Sequence, residues 1–112
     1  MLDIAVVSTS PFTITSHETP TGVLRVTLAG DFDLSIGDDL ARALRDAARR
    51  PGIRQVIVDL DATRFIDSHG VAGLVAGYQA AASSGLGFTV VNARGLIHEV
   101  LEVTGLSELL CR

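Results

Sequence analysis

Apolar residues fall along this chain in two rhythms, one of two residues and one of three to four. In Val23–Ala29 the residues Val23, Val26 and Leu28, with β-branched Thr27, predict a strand. Phe12–Glu18 alternates more loosely, and the stretch His17-Glu18-Thr19-Pro20-Thr21-Gly22 supplies a turn between the two, so they read as an antiparallel hairpin. Met1–Pro11 is a lead-in segment. Gly30-Asp31-Phe32-Asp33 reads as a break that ends the second strand. Ser35 with Asp38 then forms a capping pair, and Ile36, Leu40, Ala43, Leu44 and Ala47 recur at helical spacing. Arg49 and Arg50 suit the negative end of that helix, and Pro51-Gly52 stops it.

Gln55-Val56-Ile57-Val58-Asp59-Leu60 is nearly continuous in apolar character, which predicts a central strand covered on both faces. Val71, Leu74, Val75 and Tyr78 mark a second helix that ends by Gly85. Its Gly70, Gly73 and Gly77 each cost roughly 1 kcal/mol relative to alanine inside a helix, so they require a reason. Two are open: close packing on the protein's own sheet, or a flat face offered to a partner. Gly87–Val91 is a further strand and Gly95–Val103 a third helix, closed by Thr104-Gly105 and followed by a short element over Leu106–Leu110. The order β-β-α-β-α-β-α predicts an α/β fold with a mixed, mainly parallel sheet and right-handed crossovers.

Composition narrows the function. At 112 residues the chain is a single domain, able to bury roughly 65% of its unfolded surface. Its net charge of −4 argues against a nucleic-acid partner, which needs a basic face. All nine basic residues are arginine, so lysine chemistry is absent. One cysteine, Cys111, permits no internal disulfide and fits a reducing compartment. No stretch reaches the roughly 18 apolar residues of a membrane span, and Asp3 stands where a secretory signal needs positive charge. These features predict a cytoplasmic protein without a membrane partner.

The chemistry centres on Phe65-Ile66-Asp67-Ser68-His69-Gly70. Asp67, Ser68 and His69 include the residue types of a hydrolytic triad, but such members meet from distant parts of a chain, and consecutive side chains diverge. The nucleophile-elbow pattern fails too, because Ile66 occupies its first glycine position. His17 and His98 have no sequence tie to Ser68. A structural reading makes Asp67 or Ser68 the cap of the helix that follows. A third reading is modification: a phosphate on Ser68 would face unpaired N–H groups and the positive end of the helix, beside Asp67. His69 raises the separate prospect of pH sensitivity, since an imidazole titrates near about 6.5; a solvated helix-end histidine is the plainer account. No glycine-rich phosphate loop with lysine occurs, and the histidines lack metal-ligand spacing, so no cofactor or metal is expected.

Gly30-Asp31-Phe32-Asp33, Val56–Leu60, Phe65–Val71 and Gly105-Leu106, in this order and register, resemble the STAS domain, and more narrowly the bacterial anti-sigma factor antagonists. The resemblance runs from about Phe12 to Leu110. It implies a protein that switches partners rather than an enzyme. Unphosphorylated, such a protein binds an anti-sigma factor that is also a serine kinase, and so frees the sigma factor. The kinase phosphorylates the serine after the aspartate, here Ser68, and the complex separates; a serine phosphatase resets it. Asp31 and Asp33 match the family's acidic docking turn, and Asp67, Ser68, His69 and Gly70 complete the implied contact set on a monomer or weak dimer. Two positions depart from the pattern. His69 stands where many members carry a second small hydroxyl residue, and Phe32 replaces an aliphatic one, which predicts a buried anchor. A stand-alone STAS subunit of a transporter, for example in a lipid-transport complex, is the alternative.

Overall fold

The two-residue rhythm of the amino-terminal third closes as a hairpin. Strands β1 (Phe12–Glu18) and β2 (Val23–Phe32) run antiparallel, with Ile14 opposite Leu28 and Ser16 opposite Val26. The computed structural model describes residues 12–32 and 37–111; the Ser35 cap and Asp33 lie outside them. Helix α1 (Gly37–Ala48) follows, then β3 (Gln55–Asp59), β4 (Thr63–Ile66), α2 (Ser68–Ser83), β5 (Gly87–Val91), α3 (Gly95–Val103) and α4 (Leu106–Leu110). The sheet runs β1-β2-β3-β5, with β3 parallel to both β2 and β5. The predicted mixed, mainly parallel architecture is therefore present, with one strand more than the sequence pattern announced.

That extra strand corrects the reading of Gly30-Asp31. These residues do not end β2. Gly30 takes a left-handed φ of 99°, and the pairing register shifts between Gly30 and Asp31. The bulge lets β2 run on to Phe32 and pair in parallel with β4, Asp31 opposite Phe65 and Phe32 opposite Ile66. Strands β3 and β4 thus lie along the same side of β2, separated by a turn in which the Thr63 amide donates to the Leu60 carbonyl at 3.0 Å. The buried Thr63 hydroxyl donates to the Leu28 carbonyl at 2.7 Å, which satisfies a polar group that burial would otherwise penalise.

One face of the sheet carries the core. Leu24, Val26 and Leu28 of β2, Val56 and Val58 of β3 and Val90 of β5 are buried together with Leu40 and Leu44 of α1, Leu74 of α2, Leu101 of α3 and Leu110 of α4. Phe32 is fully buried and meets Phe12 edge to face, with ring centroids 5.4 Å apart, so it serves as the apolar anchor expected of it. The expectation that Gln55–Leu60 is covered on both faces is overturned. Val56 and Val58 point inward, whereas Gln55, Ile57 and Asp59 lie half-buried on an opposite face where Arg25 of β2 is exposed. Helix α2 comes unusually close to α1: a Cβ added at Gly77 would sit 2.7 Å from Leu44 Cβ. There the glycine serves internal packing.

Candidate functional site

Strand β4 delivers the chain to the start of α2, and three contacts hold that junction. The Asp67 amide donates to the Phe32 carbonyl at 3.2 Å, tying the junction to the end of β2. Asp67 has extended backbone, and its Oδ1 accepts from the amides of His69 at 2.9 Å and Gly70 at 3.1 Å. Gly70 is buried so tightly that a Cβ there would fall 2.5 Å from Ile66 Cγ1 and 2.6 Å from the Phe32 carbonyl oxygen. Asp67, rather than Ser68, is therefore the helix cap.

Ser68 is the first helical residue. It is exposed, and its hydroxyl makes no hydrogen bond among the described residues. Among the described residues no base is brought to it. His17 lies exposed on β1, and His98 on α3 faces Glu102 at 3.6 Å. The nucleophile–base hydrogen bond that acyl transfer requires is missing. The unpaired N–H groups expected to greet a phosphate are also partly taken, because the Asp67 carboxylate already holds two of them. A dianion on Ser68 would meet this carboxylate instead of an empty cap.

The described surface at this end of the sheet carries charged side chains and one exposed aromatic ring. His69 is exposed on the first turn of α2, where its side chain and those of Asp38 and Arg45 line a shallow groove between α1 and α2. Asp31 pairs with Arg64, with Arg64 Nε and Asp31 Oδ1 3.4 Å apart. Phe65, across the strand pair from Asp31, is 49% exposed. Sequence reading placed Asp31 and passed over Arg64 and Phe65. Thr63 and Ile66 are buried and leave the two residues between them outside, a pattern too short to read from the sequence. The structure thus gathers Asp31, Asp67, Ser68, His69 and Gly70 at one end of the sheet.

A second polar cluster sits on the open sheet face. Asp59 accepts from Arg25 at 2.8 Å, from the Asn92 side chain at 3.0 Å and from the Asp61 amide at 2.9 Å. Burial alone would raise its pKa, but the hydrogen bonds from Asn92, Asp61 and Arg25, with the charge of Arg25, outweigh that and hold it below the usual carboxylate value. Among the described residues, no three His, Cys, Asp or Glu side chains are placed to hold a metal ion. No described helix is long and apolar enough to cross a membrane. Cys111 is half-buried, and burial raises its thiol pKa.

A small mixed sheet with helices packed on one face, entered by a hairpin and carrying an Asp-Ser helix start, defines the class of α/β domain to which the chain belongs. The family model described as "Mlab, STAS domain" matches residues 16–111, so the chain belongs to the STAS domain family. It is similar to an anti-sigma factor antagonist from Mycobacterium paratuberculosis, with 27% identity and a TM-score of 0.76 over 88% of this chain and 82% of that one. It also resembles the anti-sigma factor antagonist SpoIIAA in its unphosphorylated form, at 14% identity and a TM-score of 0.76 over 88% of this chain and 85% of that one. A third likeness, at 14% identity and a TM-score of 0.69, is to the murine anion transporter Slc26a9, covering 89% of this chain and 19% of that one. No curated protein matches the chain in sequence.

Proposed function

We propose that this protein is an anti-sigma factor antagonist controlled by phosphorylation of Ser68. Its unphosphorylated form binds an anti-sigma factor serine kinase and so releases the sigma factor. The observation that carries the reading is the exposed, unbonded Ser68 hydroxyl one residue beyond the Asp67 cap. An enzyme can reach it, and nothing in the fold has to open first. A phosphate would add about −1.5 to −2 charges beside Asp67. Like unit charges about 4 Å apart repel by roughly 1 kcal/mol in water and roughly 4 kcal/mol at a partly covered site. The free protein therefore tolerates the phosphate far better than a complex that covers it, and about 1.4 kcal/mol is already a tenfold loss of affinity. In this reading Asp31, Asp67 and His69 flank Ser68 in the contact surface, while buried Gly70 contributes by allowing the junction to close; Asp33, outside the described residues, is included on the family resemblance alone.

The test is labelling by the cognate kinase with ATP, followed by binding of wild type and of Ser68→Asp to that kinase. Label on Ser68, none on Ser68→Ala, and at least a tenfold affinity loss for Ser68→Asp are expected. Equal labelling of Ser68→Ala would sink the assignment. A second reading, a protein-binding subunit of a transporter, is favoured by the family description and by the likeness to a transporter segment. Co-purification separates the two, with a transporter ATPase and permease in one case and a small kinase in the other.

A further inference from the structure

Helix α3 leaves a line of apolar side chains uncovered. Ile97 and Leu101 are buried in the core, but Leu96 is 77% exposed and Val103 86% exposed, with half-buried Val100 between them. At helical spacing the three share one side of the helix, successive members four and three residues apart. With Glu99 and Thr104 they border a shallow apolar groove of about 250 Å³. The Ser68 surface uses none of these residues. Single exposed apolar residues are ordinary; here three at helical spacing, two of them nearly bare, form one contiguous apolar line.

Charge selects the occupant. Glu99 borders the apolar line, is exposed, and has no ion partner among the described residues; Glu102 beyond it has only His98, 3.6 Å away. No Arg or Lys occurs between Gly95 and Val103. A second copy laid face to face would set these glutamates against their own counterparts, on a chain of net charge −4. An anionic lipid surface meets the same repulsion. A helix with apolar residues at i, i+4 and i+7 and arginine or lysine beside them answers both the apolar line and its acidic margin. We propose that the Leu96–Val100–Val103 face of α3 is a docking surface, separate from Ser68, for a basic amphipathic helix of a partner protein.

Isotope-labelled full-length protein, titrated with an 18-residue amphipathic peptide flanked by arginine and with its glutamate-flanked twin, tests this. The arginine peptide should shift the α3 amides and bind at least about tenfold tighter than its twin, with the preference reversed in Glu99→Arg. Leu96→Asp, at an exposed position that the fold does not need, should lose at least about tenfold in affinity with unchanged circular dichroism. Ser68→Asp should bind the peptide like wild type, which keeps this outcome independent of the switching proposal. Shifts confined to other elements, equal affinity for both peptides, or full binding by Leu96→Asp would overturn it. So would a dimer, or binding to anionic vesicles, that Leu96→Asp abolishes.

Discussion

At the residue scale, Asp67 does two jobs that the sequence left shared with Ser68. Its carboxylate occupies the helix start, and this leaves the serine hydroxyl unbonded and available. Which of two adjacent polar residues caps a helix depends on the backbone angle at the junction, and that angle follows from the Asp67 amide being held by Phe32. Removing the cap should cost about 1 kcal/mol, so Asp67→Ala is expected to lower the urea midpoint accordingly, with Asp67→Asn losing less. An Asp67→Ala protein as stable as wild type would show that the helix start is held by something else. Phe32 as an anchor was legible because a phenylalanine beside two aspartates has few places to go but inward. Phe65 was not, because four residues carry too little periodicity to show which side is covered.

At the element scale, the helices and the hairpin were readable because their spacing and turn residues act locally. Strand β4 was not, since its existence depends on the bulge in β2, far earlier in the chain, where Gly30 pairs with Thr63 and Phe32 with Ile66. Two of the three glycines of α2, Gly70 and Gly77, now have physical reasons. Gly70 allows the helix to start against β2 and β4, and Gly77 lets α1 approach. A methyl group at Gly70 would press on the Phe32 carbonyl, the same group that holds Asp67. Gly70→Ala should therefore destabilise by about 1–3 kcal/mol and, under the proposed switch, slow kinase labelling of Ser68 as its mount shifts. Unfolding by denaturant, alongside kinase labelling of the folded fraction, measures both. Wild-type stability would mean the junction relaxes at no cost.

At the scale of the whole molecule, Asp59 links β2, β3 and the segment after β5 on the open sheet face. Its pKa is lower in the folded chain than in the unfolded one, so the unfolded state takes up protons first as pH falls. The stability it contributes is present above the ordinary aspartate value, about 3.9, and disappears as pH drops through the lower folded value. Asp59→Asn should cost about 2 kcal/mol at pH 7, because donors would face an amide with one acceptor oxygen. The gap to wild type should narrow below about pH 4, as thermal melting across that range will show. A constant difference from pH 7 to pH 3 would contradict the assigned role.

By itself the sequence determined the helices, the extended segments other than β4, the mixed α/β order, the turn carrying Asp67 and Ser68 and the acidic, lysine-free character of the chain. These rest on spacing and on residue chemistry, which act over a few neighbours. Only the tertiary structure decided that β2 continues past Gly30, that one face of β3 stays open, that Asp67 caps and Ser68 is left exposed, and that α3 shows an apolar side. Each of these depends on contacts between residues far apart in the chain, which periodicity cannot register.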